Sequence, residues 1–300
     1  MGLRSNPFVM TVARSMFRQY YRRATPRVLS AEQRAFWDAN GYLVLPGHFS
    51  RTQIDAVSAE IEQLWKESRS TRRKIVVDVF IGTPREKRTY LADAPLDARA
   101  LPHKLNDLYL ESDAIRRMVL EERLAGVLEE LLEGPPLVCN SLNLEFGSQQ
   151  RDHTDSLYMP APVGLYLAAS WIALEDGSPD SGPLRYYAGS HKIPPFLFST
   201  GAINAVDAEM PRYYDYMQRE LARREITPAT FVPKVGDVFI WHSQLYHGGE
   251  PIKNPSLTRR SLVTHYWRAQ DVPWRHGTVA PHRYYFRRPP QRVDAPVDDH

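Results

Sequence analysis

Cysteine is almost missing from this chain: Cys139 is the only one in 300 residues. A single thiol excludes an internal disulfide and rules out a thiolate-rich metal site. It also fits a reducing compartment, so a cytoplasmic protein is expected. Long apolar runs are missing too. Nothing approaches the roughly 20 residues needed to cross a bilayer. Phe8 to Ala13 is too short for the core of a signal peptide and is interrupted by Thr11. Met1-Gly2 does not complete a myristoylation motif, because Asn6 stands where Ser or Thr is required. The third absence is a strong charge of one sign. With a net charge of +3 the chain as a whole is not built for polyanions, and nucleic acid is not an expected partner.

The apolar fraction of 43% is ordinary for a globular protein, and 24 prolines favour loops over long helices. β-Barrel and sandwich enzymes of this length commonly form one unit. Residues 1–28 read as a basic arm, carrying Arg4, Arg14, Arg18, Arg22, Arg23 and Arg27 and no acid. It can pack on its own domain, on a second subunit of a homodimer, or on a membrane surface. A single domain is expected over 29–270. Ser30 with Gln33 and Ser50 with Gln53 are capping boxes that open two short helices. In the second helix Ile54, Val57, Ile61 and Leu64 recur at helical spacing. Tyr42 to Leu45 and Lys74 to Ile81 read as strands, 82–111 as polar loop, and Ser112 as the cap of one long helix ending before Gly134-Pro135-Pro136. From 137 to 268 the grammar is that of short strands: Leu137 to Phe146, Val163 to Leu174, Leu184 to Tyr187, Asp237 to Trp241 and Ser261 to Trp267. A polar insertion at 195–230, helical over Glu209 to Arg224, is a candidate lid. Residues 271–300 form a tail rich in Arg, Pro and Tyr that turns acidic.

Chemistry concentrates in Arg151-Asp152-His153-Thr154-Asp155-Ser156. On an extended strand residues i and i+2 share a face, so His153 and Asp155 can grip one ion while Thr154 faces away. Alone the pair is a weak signal, since a lone histidine is usually structural. Later, Trp241 to Gly249 adds His242 and His247, and Gly248-Gly249 lets backbone pass close to a metal without a Cβ. Two histidines and a carboxylate with open positions suit non-haem Fe(II). Arg259-Arg260-Ser261 then enters another β run. Arg259 and Ser261 share a face, and a planar cation with a hydroxyl beside it is a receptor for a carboxylate. A zinc hydrolase with the same ligands, or a metal- or ligand-binding barrel without turnover, are the competing readings.

This ordered set resembles the phytanoyl-CoA dioxygenase family of Fe(II)/2-oxoglutarate-dependent oxygenases. The likeness covers residues 29–268. It opens with Gln33, Phe36, the run Asn40 to Pro46 and the helix Gln53 to Leu64. It continues through His153 and Asp155, Gly182-Pro183-Leu184-Arg185, and Gly189-Ser190-His191. It closes with Gly236-Asp237, His242, His247-Gly248, Arg259 and Ser261. The resemblance implies a mainly β fold with flanking helices, a double-stranded β-helix of the jelly-roll, cupin-like kind. It implies His153, Asp155 and His247 as iron ligands, and Arg259 with Ser261 on the distal carboxylate of 2-oxoglutarate. It further implies an O2-dependent reaction that hydroxylates a small molecule and releases succinate and CO2. Because halogenating relatives lack the carboxylate ligand, Asp155 favours hydroxylation or another oxidation. His247 is preferred over His242, which reads as a packed neighbour, because its spacing to Arg259 and its two glycines suit the family. Arg259 is preferred over Arg260, which lacks Ser261 on its own face, and His191 reads as structural. Asn143 and Trp171 are assigned to the co-substrate pocket, with Asn140 and Tyr158 flanking it. Thr154 and the polar run Gln149 to Asp152 depart from the family's habit and leave the substrate class open.

Overall fold

The computed structural model describes residues 28–272, 274 and 276–293. The expected arm, apart from Val28, lies outside the described residues, and so do its membrane or subunit contacts. Both capping boxes form. Ser30 and Gln33 close the N-terminus of α1 (Ala31–Asn40), and Gly41, at φ 77°, ends it in the left-handed conformation that favours glycine. Strand β1 (Tyr42–Leu45) follows. Ser50 and Gln53 then cap α2 (Arg51–Lys66), which buries Ile54, Val57, Ile61 and Leu64.

The long helix expected from 112 is broken. After the single turn α3 (Leu108–Glu111), Ser112 caps α4 (Asp113–Val119), and α5 (Glu122–Leu132) starts afresh on Glu121. The Glu121 carboxylate accepts the free N–H groups of Arg123 and Leu124, so the apolar periodicity runs through a break that one acidic side chain caps.

The stretch read as loop contains two strands. Strand β2 (Val76–Val79) pairs with β3 (Lys87–Tyr90) on one side and β4 (His103–Asn106) on the other. Their polar composition hid them: Arg88 donates to buried Asp78 at 2.7 and 3.0 Å, with Lys104 Nζ 3.4 Å away. These charges face one another inside the sheet rather than solvent.

Strands β5 (Pro136–Leu144), β6 (Leu167–Ala173), β9 (Val238–His242) and β11 (Ser261–Arg268) fall where the β-prone runs are. They build a large sheet in the order β1-β9-β6-β11-β5-β4-β2-β3. The tail contributes to this sheet. It forms a hairpin, β12 (His276–Ala280) and β13 (Arg283–Phe286), and β13 runs parallel to the start of β5. A second sheet has the order β10-β7-β8, from β7 (Leu184–Tyr186), β8 (Ala229–Phe231) and β10 (His247–Gly249). The two sheets form the jelly roll.

Alternation along the strands divides the core. Ile172, Ile240 and Leu262 point to the helices, whereas Trp171, Phe239, Trp241, Val263 and Leu144 point between the sheets. Over one end lies α6 (Met210–Arg223) of the polar insertion, whose buried stripe Tyr213, Met217 and Leu221 packs with Leu157, Tyr187 and Tyr246. Each large apolar side chain buried there contributes about 1.5–3 kcal/mol to holding the insertion against Leu157, Tyr187 and Tyr246. No helix among the described residues is long and apolar enough to cross a membrane.

Candidate metal centre and carboxylate pocket

His153 does not sit in a regular strand. It forms an isolated antiparallel bridge with His247 at the start of β10. The two exchange both main-chain hydrogen bonds, at 2.8 and 3.0 Å. Thr154 is extended (φ −116°, ψ 140°) and Asp155 opens a short 3₁₀ turn, Asp155–Leu157. The same-face expectation therefore holds through one extended residue rather than a strand. Thr154 faces away, toward the hydroxyls of Ser156 and Tyr213.

The donor atoms of His153, Asp155 and His247 all lie within 4.8 Å of one another, and all three residues are buried. Asp155 Oδ1 is 3.7 Å from His153 Nε2 and 3.5 Å from His247 Nε2. Each histidine is oriented from behind. Nδ1–H of His153 donates to the Arg151 carbonyl (2.8 Å), and Nδ1–H of His247 donates to that of Leu245 (2.9 Å). A carbonyl only accepts, so Nδ1 of each ring carries a proton and Nε2 of each faces Asp155. Burial pulls His247 down to about 4, which keeps it neutral and able to ligate. Burial alone would raise the Asp155 carboxyl. The neighbouring His247, His265 and His153 outweigh that and hold it well below the usual carboxylate range.

Gly248 is required on steric grounds. A Cβ there would stand 2.3 Å from Asp152 Oδ1 and 2.9 Å from the Gln150 carbonyl. Asp152 braces the loop, accepting from Arg185 (2.7 Å) and Tyr187 (2.8 Å).

The triad forms one wall of a cleft between the sheets. Arg259 lines the same cleft, 4% exposed. One N–H donates to the Gly182 carbonyl (2.9 Å), the guanidinium lies over the Trp171 ring (5.6 Å), and Nε has no partner. No acidic side chain pairs with it among the described residues, and burial pushes it down to about 10, still cationic at neutral pH. Ser261 faces the same way with a buried, unpartnered hydroxyl, as does the Trp171 indole N–H. A buried cation ringed by unused donors is a socket for an anion. Arg260 is excluded from it: its side chain is 41% exposed and turns to Glu62 and Glu175.

Asn143 does not join the cleft. It is on the opposite face of β5, donating to the Ser261 carbonyl (3.0 Å) and bordering a separate polar pocket beside Glu62 and Glu145. One-residue alternation explains this, because Leu142 and Leu144 are the β5 residues that line the cleft. Tyr158 does line it, with its ring 5.6 Å from that of His153. His242 is a packed neighbour: burial brings it to about 4, and its ring lies against Trp37 and His191.

Two residues beside the triad went unread in the sequence. Trp241 donates its indole N–H to Asp155 Oδ2 at 2.7 Å. His265 lines the cleft with Nε2 3.6 Å from the same oxygen and Nδ1 3.2 Å from Asn140 Oδ1. The alternation of Ser261, Val263 and His265 on β11 would have pointed to the second.

A jelly roll with two histidines, one carboxylate and a cation-lined cleft defines a mononuclear non-haem metal oxygenase. The chain belongs to the phytanoyl-CoA dioxygenase family, whose sequence model matches residues 37–261. It is 24% identical over 259 residues to the peroxisomal phytanoyl-CoA dioxygenase of Rattus norvegicus, covering 80% of this chain and 68% of the relative. Its fold is similar to that of SnoK, a non-haem α-ketoglutarate-dependent carbocyclase from nogalamycin biosynthesis (TM-score 0.60, 20% identity, 82% of this chain and 87% of that one). It is similar also to EctD from S. alaskensis with bound Fe (TM-score 0.60, 19% identity, 83% and 81%).

Proposed function

We propose that the protein is an Fe(II)/2-oxoglutarate-dependent dioxygenase that hydroxylates a small molecule and releases succinate and CO2. The observation that carries the reading is the pairing, in one cleft, of a convergent His153–Asp155–His247 set with the acid-free cation Arg259. The residues fit the groups the family uses. Two imidazoles and a carboxylate suit a divalent iron. Arg259, Ser261 and Trp171 supply donors for the far carboxylate of a dicarboxylic acid. When bound, iron and 2-oxoglutarate supply O2 activation coupled to oxidative decarboxylation.

The chain's own part is placement. His153 and His247 present Nε2, set by the carbonyls behind them. Arg259 holds the co-substrate's distal end, fixing its other end toward the metal wall. Leu142, Leu144, Leu184 and Val263 keep the space between apolar and dry. Tyr158, Met159 and Gln150 line the same cleft and are the side chains a small substrate would meet. A lone cysteine fits a reducing compartment such as the cytoplasm. A hydrolytic zinc site would leave Arg259 without a role, and a barrel that does not turn over need not keep both the metal set and the carboxylate partner.

Anaerobic Fe(II) and 2-oxoglutarate should together give a weak visible charge-transfer band, followed in air by slow uncoupled succinate formation. Absence of both from the folded protein would refute the oxygenase reading.

A further inference from the structure

We infer that Trp241 is a positioning residue that restricts Asp155 to one metal-facing oxygen and so keeps the co-substrate and O2 positions open. This rests on the iron reading above. The two oxygens of Asp155 have separate duties. Oδ1 faces His153 Nε2 and His247 Nε2 at 3.7 and 3.5 Å, whereas Oδ2 accepts the Trp241 indole N–H at 2.7 Å. An oxygen held that closely inside the fold has one lone pair committed, and swinging it onto a metal would stretch or break the bond and leave a buried N–H poorly paired.

Trp241 is not free to follow it. Its main chain is in β9, with Tyr42 of β1 opposite on one side and Ala169 of β6 on the other. Its ring packs on the His247 ring with centroids 5.1 Å apart and meets His265 nearly edge-on at 6.3 Å. One indole therefore touches two of the three candidate ligands. Coordination arithmetic shows why this matters. Of about six positions on an octahedral ion, three go to protein donors and two to a chelating 2-oxo acid, leaving one for O2. A chelating Asp155 would take that last position. Trp241 is 86 residues from Asp155 in sequence, so no local motif couples them.

Trp241→Phe removes the N–H and keeps an aromatic ring, and Trp241→His restores a donor. Each is measured as the folded protein, certified by its thermal melt, in two ways. One is the ligand-field spectrum of the Co(II) form without co-substrate, and the other is the anaerobic charge-transfer titration of the Fe(II) form with 2-oxoglutarate. For Trp241→Phe we expect altered Co(II) bands and a rise in the 2-oxoglutarate dissociation constant of about 10- to 100-fold, as for other lost supports of a metal ligand. Trp241→His should recover part of both. An unchanged spectrum and unchanged dissociation constant in folded Trp241→Phe overturn the inference and leave the oxygenase reading standing. If Trp241→Phe does not fold, X-ray absorption on the Fe(II)-loaded wild type decides, with a chelating carboxylate as the overturning result and a single bound oxygen as the supporting one. A wild type that binds neither metal nor 2-oxoglutarate takes both readings down.

Discussion

His153 and His247 are tied to each other by their own main chains, each N–H donating to the other's carbonyl. The spacing of two candidate ligands from distant parts of the sequence is thus set by backbone pairing rather than by a metal. A centre assembled this way is preorganised.

Gly248 makes that pairing possible, and Gly248→Ala should destroy it. The new methyl group would overlap Asp152 Oδ1 and the Gln150 carbonyl, so the bridge must open. The expected result is a folded protein with a lowered melting temperature, by an amount equivalent to about 1–3 kcal/mol, and little Fe(II) binding. Calorimetry and metal titration check it.

Removing the carboxylate is a different lesion. Asp155→Ala should leave the main-chain bridge intact but strip the site of its only anionic donor. Succinate formation from 2-oxoglutarate should fall below detection by mass spectrometry, and adding iron should not restore it.

Arg259→Ala should weaken 2-oxoglutarate binding by roughly 10- to 100-fold, matching the 1.5–3 kcal/mol of a charge-assisted bond. Metal affinity should be unaffected. Arg259→Lys should recover only part, since a point charge does not reproduce a planar fork. Titration of the charge-transfer band separates these outcomes.

The metal-free protein should lose stability as pH falls from about 6.5 toward 4. Burial lowers His242 from its ordinary 6.5 to about 4, so in that window the unfolded chain takes up a proton that the folded one refuses. The contribution is fully present above 6.5 and declines by up to about 1.4 kcal/mol per pH unit within the window. Urea unfolding at several pH values, with a chelator present, measures the slope. His242→Gln should reduce it, not abolish it, because His247 is shifted the same way.

Sequence carried the reading wherever one residue type had one job. Ser30 with Gln33, Ser50 with Gln53, and the apolar stripe of α2 pointed to helices that form as expected. The histidines and Asp155 were visible because few side chains can bind a metal, and Arg259 because Ser261 follows it at strand spacing. The reading failed where partners are remote. Strands β3 and β4 looked like loop, since nothing local reveals that Arg88 and Lys104 meet Asp78 inside the sheet. Asn143 was placed one residue out of phase with the cleft face of β5. Nothing local ties Trp241 to Asp155, 86 residues away, whose carboxylate its N–H reaches.

Cys139 is buried, hydrogen-bonded through its thiol to the His265 carbonyl, and held protonated. An enzyme that activates O2 is also exposed to misfires of its own chemistry, and thiolates are among the first casualties of such wear. Here the lone thiol is shielded behind β5, and the sulfur at the cleft is the thioether of Met159. Oxidative ageing of the catalyst would begin there, as a sulfoxide that a reductase can reverse, rather than as a cross-link between molecules.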